Sequence, residues 1–146
     1  MHAKSLRVLV VDDDPAARLL CSVNLEQEGL QVIEAADGRR ALVRALIDQP
    51  DLVLTDVMMP GFSGFELAEA LRRDQRTRSI PIIFVSGETS PNNQSRAQEL
   101  GALAFVTKPF DPRTLAAVVD RALSQEREAV VNDIHSRRIR PKHQPS

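Results

Sequence analysis

The sequence predicts an α/β fold, a doubly wound parallel sheet of five strands in a three-layer α/β/α arrangement. Apolar runs rich in β-branched residues recur at Leu6–Val11, Asp51–Thr55, Ile80–Val85 and Ala102–Val106, spaced too widely for hairpins. These runs are nearly continuous in apolar residues instead of alternating, as strands covered on both faces are. Between them lie segments of helical period bounded by capping residues, prolines and glycines. Strand and helix alternating in this way imply right-handed crossovers onto both faces of one sheet.

Each element has its own signal. After the first run, Asp14-Pro15 offers an N-cap followed by proline at the first helical position. Ala17, Leu20, Val23 and Leu25 then form the expected inner face of a helix that Gly29 stops. The next run, Leu30–Glu34, is shorter and more polar, as suits an outer strand. Ala41, Leu42, Ala45 and Leu46 mark a second helix ending before Pro50, and Phe65, Leu67, Ala68 and Leu71 mark a third. Ser90-Pro91-Asn92-Asn93 reads as a loop-like start, so the fourth helix is expected around Ser95–Leu100 with Gly101 as its C-cap. Asp111-Pro112 repeats the cap-and-proline device and opens a fifth helix through Leu115, Val118, Val119, Ala122 and Leu123. Ala129, Val130 and Ile134 continue that pattern beyond it.

Composition narrows the class. Hydrophobic residues make up 42% and charged residues 27% of the 146, an ordinary globular balance without repeats or low-complexity blocks. The single cysteine, Cys21, permits neither an intramolecular disulfide nor a cysteine zinc cluster, and its place on the first helix suits inert core. No apolar run approaches about 18 residues and no basic-then-apolar leader opens the chain, so a cytoplasmic protein without membrane association is expected. Residues 1–124 carry 14 Lys and Arg against 17 Asp and Glu, and residues 125–146 carry 5 against 3. Within that last stretch Arg137, Arg138, Arg140 and Lys142 have no acid beside them. Such a tail can touch an anionic partner or remain a solvated terminus; its few charges argue against direct nucleic-acid binding.

Ligand sites in doubly wound sheets lie beyond the carboxyl ends of the strands. At those ends stand Asp12-Asp13-Asp14, Asp56, Ser86 and Lys108. Asp14 has a structural use as the cap of the first helix. Asp12 and Asp13 do not, and carboxylates at about 4 Å repel by on the order of 1 kcal/mol in water and about 4 at an effective dielectric of 20. Asp56 arrives from another strand and adds to the repulsion. Something positive belongs there: Lys108 supplies one charge, and oxygen donors without cysteine or histidine favour a hard cation, magnesium before zinc. The histidines, His2, His135 and His143, lie in terminal segments away from the acids.

Taken together, Val10-Val11-Asp12-Asp13-Asp14-Pro15, Leu54-Thr55-Asp56-Val57-Met58-Met59-Pro60-Gly61, Val85-Ser86-Gly87 and Thr107-Lys108-Pro109-Phe110 resemble the receiver domain of two-component response regulators. The resemblance covers residues 5–124. It implies a flavodoxin-like strand order of 2-1-3-4-5; beyond it, the continuing apolar pattern and the basic charges lead residues 125–146 to be expected as a helical extension and basic tail without an output domain. It also implies roles. Asp56 matches the phosphoacceptor, and Asp13, Asp56 and the carbonyl of Met58 match the ligands of Mg2+, with Mn2+ able to substitute. Asp12 matches the acid holding a metal-bound water. Lys108 matches the lysine that pairs with the phosphoryl group, Ser86 the hydroxyl that moves to bind it, and Phe105 the aromatic switch position. Partners implied are a sensor histidine kinase or histidine phosphotransfer protein, an effector protein, and a possible second copy in a homodimer.

Two positions bear on the lifetime of an acyl phosphate. Met58 places an apolar side chain two residues after Asp56, and Glu88 stands two residues after Ser86; Met58 is expected to restrict water and, with Glu88, to set a lifetime longer than a polar residue at 58 would allow. Met58 also argues against a haloacid-type phosphatase, which would need an aspartate there. The functions expected are therefore a phosphorylation-dependent switch, or alternatively a relay intermediate or phosphate sink, or the receiver part of a longer regulator. Chemistry beyond self-catalysed phosphotransfer and autodephosphorylation is not expected.

Overall fold

The computed structural model describes residues 5–88 and 90–124. The elements run β1 (Arg7–Val11), α1 (Pro15–Gln27), β2 (Gln31–Ala35), α2 (Gly38–Asp48), β3 (Leu52–Asp56), α3 (Gly64–Arg73), β4 (Ile82–Ser86), α4 (Pro91–Glu99) and β5 (Ala104–Thr107). A fifth helix, α5, covers 112–124. All pairings are parallel and the sheet order is β2-β1-β3-β4-β5. The extension signalled by Ala129, Val130 and Ile134 and the basic tail lie outside the described residues. Among the described residues no helix is long and apolar enough to cross a membrane.

Continuous apolar strands become two cores because successive side chains point to opposite faces. Leu9, Val11, Val53, Ile82 and Phe84 face α2, α3 and α4, meeting Ala41, Ala45, Leu67, Leu71 and Ala97. Val8, Val10, Leu52, Leu54, Ile83 and Val85 face the other way, onto Cys21 and Leu25 of α1 and Leu115 and Val119 of α5. On the first side Phe65 meets Phe84 edge to face, with centroids 5.0 Å apart. Strands β3 and β4 are buried throughout, whereas β2 is half exposed at the sheet edge, as its mixed sequence suggests.

Two expectations are corrected. The inner face of α1 differs in part from the one expected: Leu25 and Cys21 are buried as expected, joined by Ser22, but Leu20 and Val23 are 51% and 42% exposed, alongside Leu19 at 59%. A helix followed by an edge strand covers the sheet with the narrow Ala17-Cys21-Leu25 stripe, and the leftover apolar residues form an outward face. The fourth helix starts four residues earlier than expected, at Pro91, because Ser90 accepts the Asn93 N–H at 3.2 Å as an N-cap. Ser90-Pro91 thus works as Asp14-Pro15 does, where Asp14 accepts the Ala16 N–H at 3.1 Å.

Two glycines matter for the frame. Gly101 ends α4 with φ +74°, a left-handed conformation that side chains disfavour. Gly64 opens α3 directly against the end of β3: a Cβ there would overlap the Asp56 carbonyl oxygen and sit 3.0 Å from Val57 Cα.

Candidate functional site

Three strand ends build the site. Parallel registry places Val10 opposite Leu54 and Val11 opposite Thr55, so Asp12, Asp13 and Asp56 leave the sheet side by side. Their carboxylate oxygens lie within 4.8 Å of one another; Asp12 and Asp56 are buried and Asp13 is exposed. Lys108, from the end of β5, crosses to them, with Nζ 2.9 Å from Asp56 Oδ2 and 3.4 Å from Asp12 Oδ2. Its backbone N–H donates to the Ser86 carbonyl at 2.8 Å, which ties β5's exit to β4. The Lys108–Pro109 peptide is cis.

The remaining oxygens are held locally. Asp12 Oδ1 accepts the Asp14 N–H at 2.9 Å, and Asp56 Oδ1 accepts the Met58 N–H at 3.3 Å. Burial pushes the Asp56 carboxyl above its ordinary value, a rise that Lys108 reduces without cancelling. For Lys108, burial alone would lower the ammonium, but the bonds and charges of Asp56 and Asp12 outweigh it and raise it. Proton affinity rises on both sides of the pair, which keeps the lysine charged beside a carboxyl whose own charge is costly.

Asp12, Asp13, Asp56 and Lys108 sum formally to −2, so the group lacks about one divalent cation. An all-oxygen donor set with one member open to solvent fits Mg2+. Asp13 supplies that open side, while Asp12 and Asp56 form the buried wall.

The other residues singled out in sequence stand nearby with different engagements. Ser86 ends β4 and is fully buried; its hydroxyl accepts the Glu88 N–H at 3.0 Å. Phe105 lies on β5 opposite Phe84, half buried against the α3 and α4 side of the core. Met58 is 59% exposed, so its side chain lies at the surface beside Asp56 instead of being packed under it, and Glu88 is exposed as well. Cys21 lies beneath the acids, where burial first, and the Asp12 charge second, push its thiol up to about 11. That protonated, buried thiol is inert as expected.

Sequence reasoning missed three supports. Arg18 donates from Nη1 to the Asp12 carbonyl at 2.6 Å and from Nε to Glu34 at 3.0 Å, bracing the acidic turn against β2. Arg72 donates to the carbonyls of Leu100, Arg78 and Ile80 at 3.0, 2.8 and 2.8 Å, pinning α3 to the end of α4 and the approach to β4. Neither arginine carries a local sequence signal, because most of its partners are backbone oxygens, which every residue has. Gly64 was readable in part, since Ser63-Gly64-Phe65-Glu66 contains a capping box, which the structure forms in full.

Residues 8–120 match the response regulator receiver domain. The chain is 38% identical over 124 residues to the DNA-binding dual master transcriptional regulator RpaA of Synechocystis sp., covering 85% of this chain and 51% of RpaA. It is 34% identical over 118 residues to protein PilH of Pseudomonas aeruginosa, covering 81% of this chain and 98% of PilH. Among solved structures, the chemotaxis protein CheY4 of Vibrio cholerae superposes with TM-score 0.77 at 36% identity, covering 82% of this chain and 99% of that one. A CheY-like receiver domain protein from Methanospirillum hungatei superposes with TM-score 0.80 at 29% identity, covering 86% and 99%. The chain belongs to the response regulator receiver domain family, whose members act as phosphorylation-dependent, magnesium-binding signalling switches. It spans about half the length of RpaA and of the phosphate regulon regulator PhoB of P. aeruginosa.

Proposed function

We propose that Asp56 accepts a phosphoryl group from a phosphohistidine of a sensor histidine kinase or histidine phosphotransfer protein, and that the acyl phosphate resets a surface read by a partner protein. The observation that carries this reading is the Lys108 ammonium 2.9 Å from one oxygen of a buried carboxylate that two further carboxylates crowd. In the step, an Asp56 oxygen forms a bond to phosphorus as the phosphorus–nitrogen bond to the donor imidazole breaks, and the imidazole leaves with that electron pair. Phosphoryl transfer needs an aligned nucleophile and charge neutralisation more than covalent help. Lys108 is placed to pair with a phosphoryl oxygen and Asp56 Oδ1 is oriented by Met58 N–H. Asp12, Asp13, Asp56 and the Met58 carbonyl would hold Mg2+, which when bound supplies the charge neutralisation that a dianionic donor requires.

The switch follows from what a phosphoryl group adds, about one negative charge and three acceptor oxygens. Ser86, whose hydroxyl oxygen accepts the Glu88 N–H, would move to donate its hydroxyl proton to one of them, and Phe105 on the neighbouring strand would turn into the space left. The surface of α4, β5 and α5 would then change by a population shift. Residues 5–124 form the functional unit in this reading, acting in the cytoplasm through an effector protein. Magnesium is the resident ion, and Mn2+ substitutes. A donor protein must bring its imidazole to the mouth of the site, and α1, the helix that follows the acidic turn, carries the exposed Leu19, Leu20 and Val23. The exposed Met58 side chain slows water attack on the acyl phosphate from outside.

A second reading has support in the half-length match to RpaA and PhoB: the unit serves as the receiver part of a longer regulator. Phosphotransfer profiling tests the proposal. Purified sensor kinases labelled on histidine should pass label to this chain and not to Asp56→Ala; label passing equally to that variant would overturn it. Rapid return of label to a histidine protein would assign a relay instead of a switch.

A further inference from the structure

A second charged concavity lies at the β2 edge, away from the acids. It is a cleft of about 620 Å³ between the start of α1, the end of β2 and the outer face of α2. That volume lies within the roughly 300–1,000 Å³ usual for small-ligand sites. Four of the residues lining it are arginines and one, Glu34, is acidic. Arg18 is already committed to Glu34 and to the Asp12 carbonyl, so it forms a wall. Arg40 and Arg44 touch Asp37 and Asp48 at 3.5 and 2.9 Å. Arg39 instead lies over the Phe62 ring, its guanidinium carbon 5.5 Å from the centroid.

The placement of these arginines runs against the helix that carries them. Helix α2 has no acid in its first turn and no base in its last. Arg39 and Arg40 sit at its positive end and Asp48 at its negative end, the reverse of what the helix dipole favours. Helix α3 shows the ordinary solution from a similar start: both helices open with a capping residue and glycine, but at the third position α3 has Glu66 where α2 has Arg40. Guanidinium groups gathered against local preference concentrate positive potential in a concave site, which is how oxyanions are drawn in. Their planar donors suit phosphate in bidentate pairs. Between them the floor is apolar: Ala35, Ala36 and Val43, the last 52% exposed.

We propose that this cleft binds a small phosphorylated ligand with a flat apolar body, of the nucleotide class. Arg39, Arg40 and Arg44 hold the phosphate oxygens, and the ring lies on Val43 and the alanines. A nucleic-acid duplex would need more free cations than three arginines that already carry two carboxylates. The site is separate from Asp56 and stands or falls independently of phosphorylation there.

The test is titration of the full chain in EDTA, which silences the acid site, with ADP, GDP, adenosine, inorganic pyrophosphate and hexaglutamate, followed by amide chemical shifts. ADP or GDP should saturate with shifts confined to Arg18 and residues 34–44. Pyrophosphate should bind at least about tenfold more weakly, and adenosine and hexaglutamate not measurably. Arg39→Glu with Arg40→Glu should abolish binding; because these changes obey the dipole, the helix keeps its fold, checked by a melting temperature no lower than that of the unsubstituted chain. Absence of saturable ADP and GDP binding, or binding that survives the double substitution, would overturn the proposal. Hexaglutamate binding as tightly as ADP would make the cleft a docking face for an acidic protein segment, and pyrophosphate matching ADP would make it a general polyanion site. Either result refutes the nucleotide assignment.

Discussion

At the carboxyl ends of β1 and β3, three carboxylates within 4.8 Å share one lysine, whereas on the β2 edge four arginines line a cleft with one glutamate. The two regions are out of balance in opposite senses, and each imbalance costs folding stability that neutral or alternating charges would have avoided. The acidic group is built into the frame, with Asp12 and Asp56 buried and hydrogen-bonded to following amides. Three of the four arginines, Arg39, Arg40 and Arg44, are carried on the exposed face of α2 with long side chains, and the fourth, Arg18, is fixed to Glu34 and the Asp12 carbonyl. The first therefore presents a rigid site for a hard cation and a reacting phosphoryl group, and the second an adaptable site for an anion.

The largest effect should come from the frame. Gly64→Ala forces a methyl group into the Asp56 carbonyl, so it should destabilise by about 3 kcal/mol and displace β3's end, read by urea unfolding and by loss of Mg2+ binding together. Near wild-type values for both would show that α3 does not brace the acids. Next, Asp13→Asn should weaken Mg2+ binding by roughly thirtyfold, about 2 kcal/mol, while raising the metal-free stability by about 1 kcal/mol through relief of repulsion. A variant that weakens the ion without stabilising the metal-free fold would remove the repulsion from the comparison. On the basic side, Arg40→Glu should stabilise the chain by about 0.5 kcal/mol, measured by thermal melting; a loss would mean that the Asp37 contact outweighs the dipole.

A further effect, confined to alkaline solution, is one of pH. The Cys21 thiol, raised by burial to about 11 from a usual value near 9, keeps its proton longer in the folded chain than in the unfolded one. Its contribution to stability is thus complete below pH 9 and lost as the pH rises toward 11. Melting curves of the protein and of Cys21→Ala should converge over that window; parallel curves would place the thiol in contact with solvent.

Most of the architecture was legible because both faces of the sheet are covered. Runs such as Val8-Leu9-Val10-Val11 leave no polar face, which forces helices onto both sides and parallel pairing. Asp12, Asp13, Asp56 and Lys108 were legible for a related reason: charges abruptly ending apolar strands converge wherever those strands are parallel neighbours. What could not be read depended on choices made by tertiary packing. Helix α1 has more apolar residues than its sheet contact needs, so periodicity alone could not say that Cys21 goes in and Leu20 out. The start of α4 was obscured because its nine residues are almost all polar and only Ala97 is buried, leaving the Ser90 cap and Pro91 to mark it without an apolar stripe behind them. Arg18 and Arg72 bind backbone carbonyls, which no residue type marks, and the hydroxyl of Ser86 has a local partner that no spacing encodes.

One measurement reaches the centre of this account. The chain is treated with acetyl phosphate, reduced with borohydride, which converts an acyl phosphate into an alcohol, and mapped by peptide mass. The expected result is a single reduced residue at Asp56, formed with Mg2+ and lost in EDTA. Reduction at Asp12 or Asp13 instead, or at Asp56 to the same extent without the divalent ion, would contradict it.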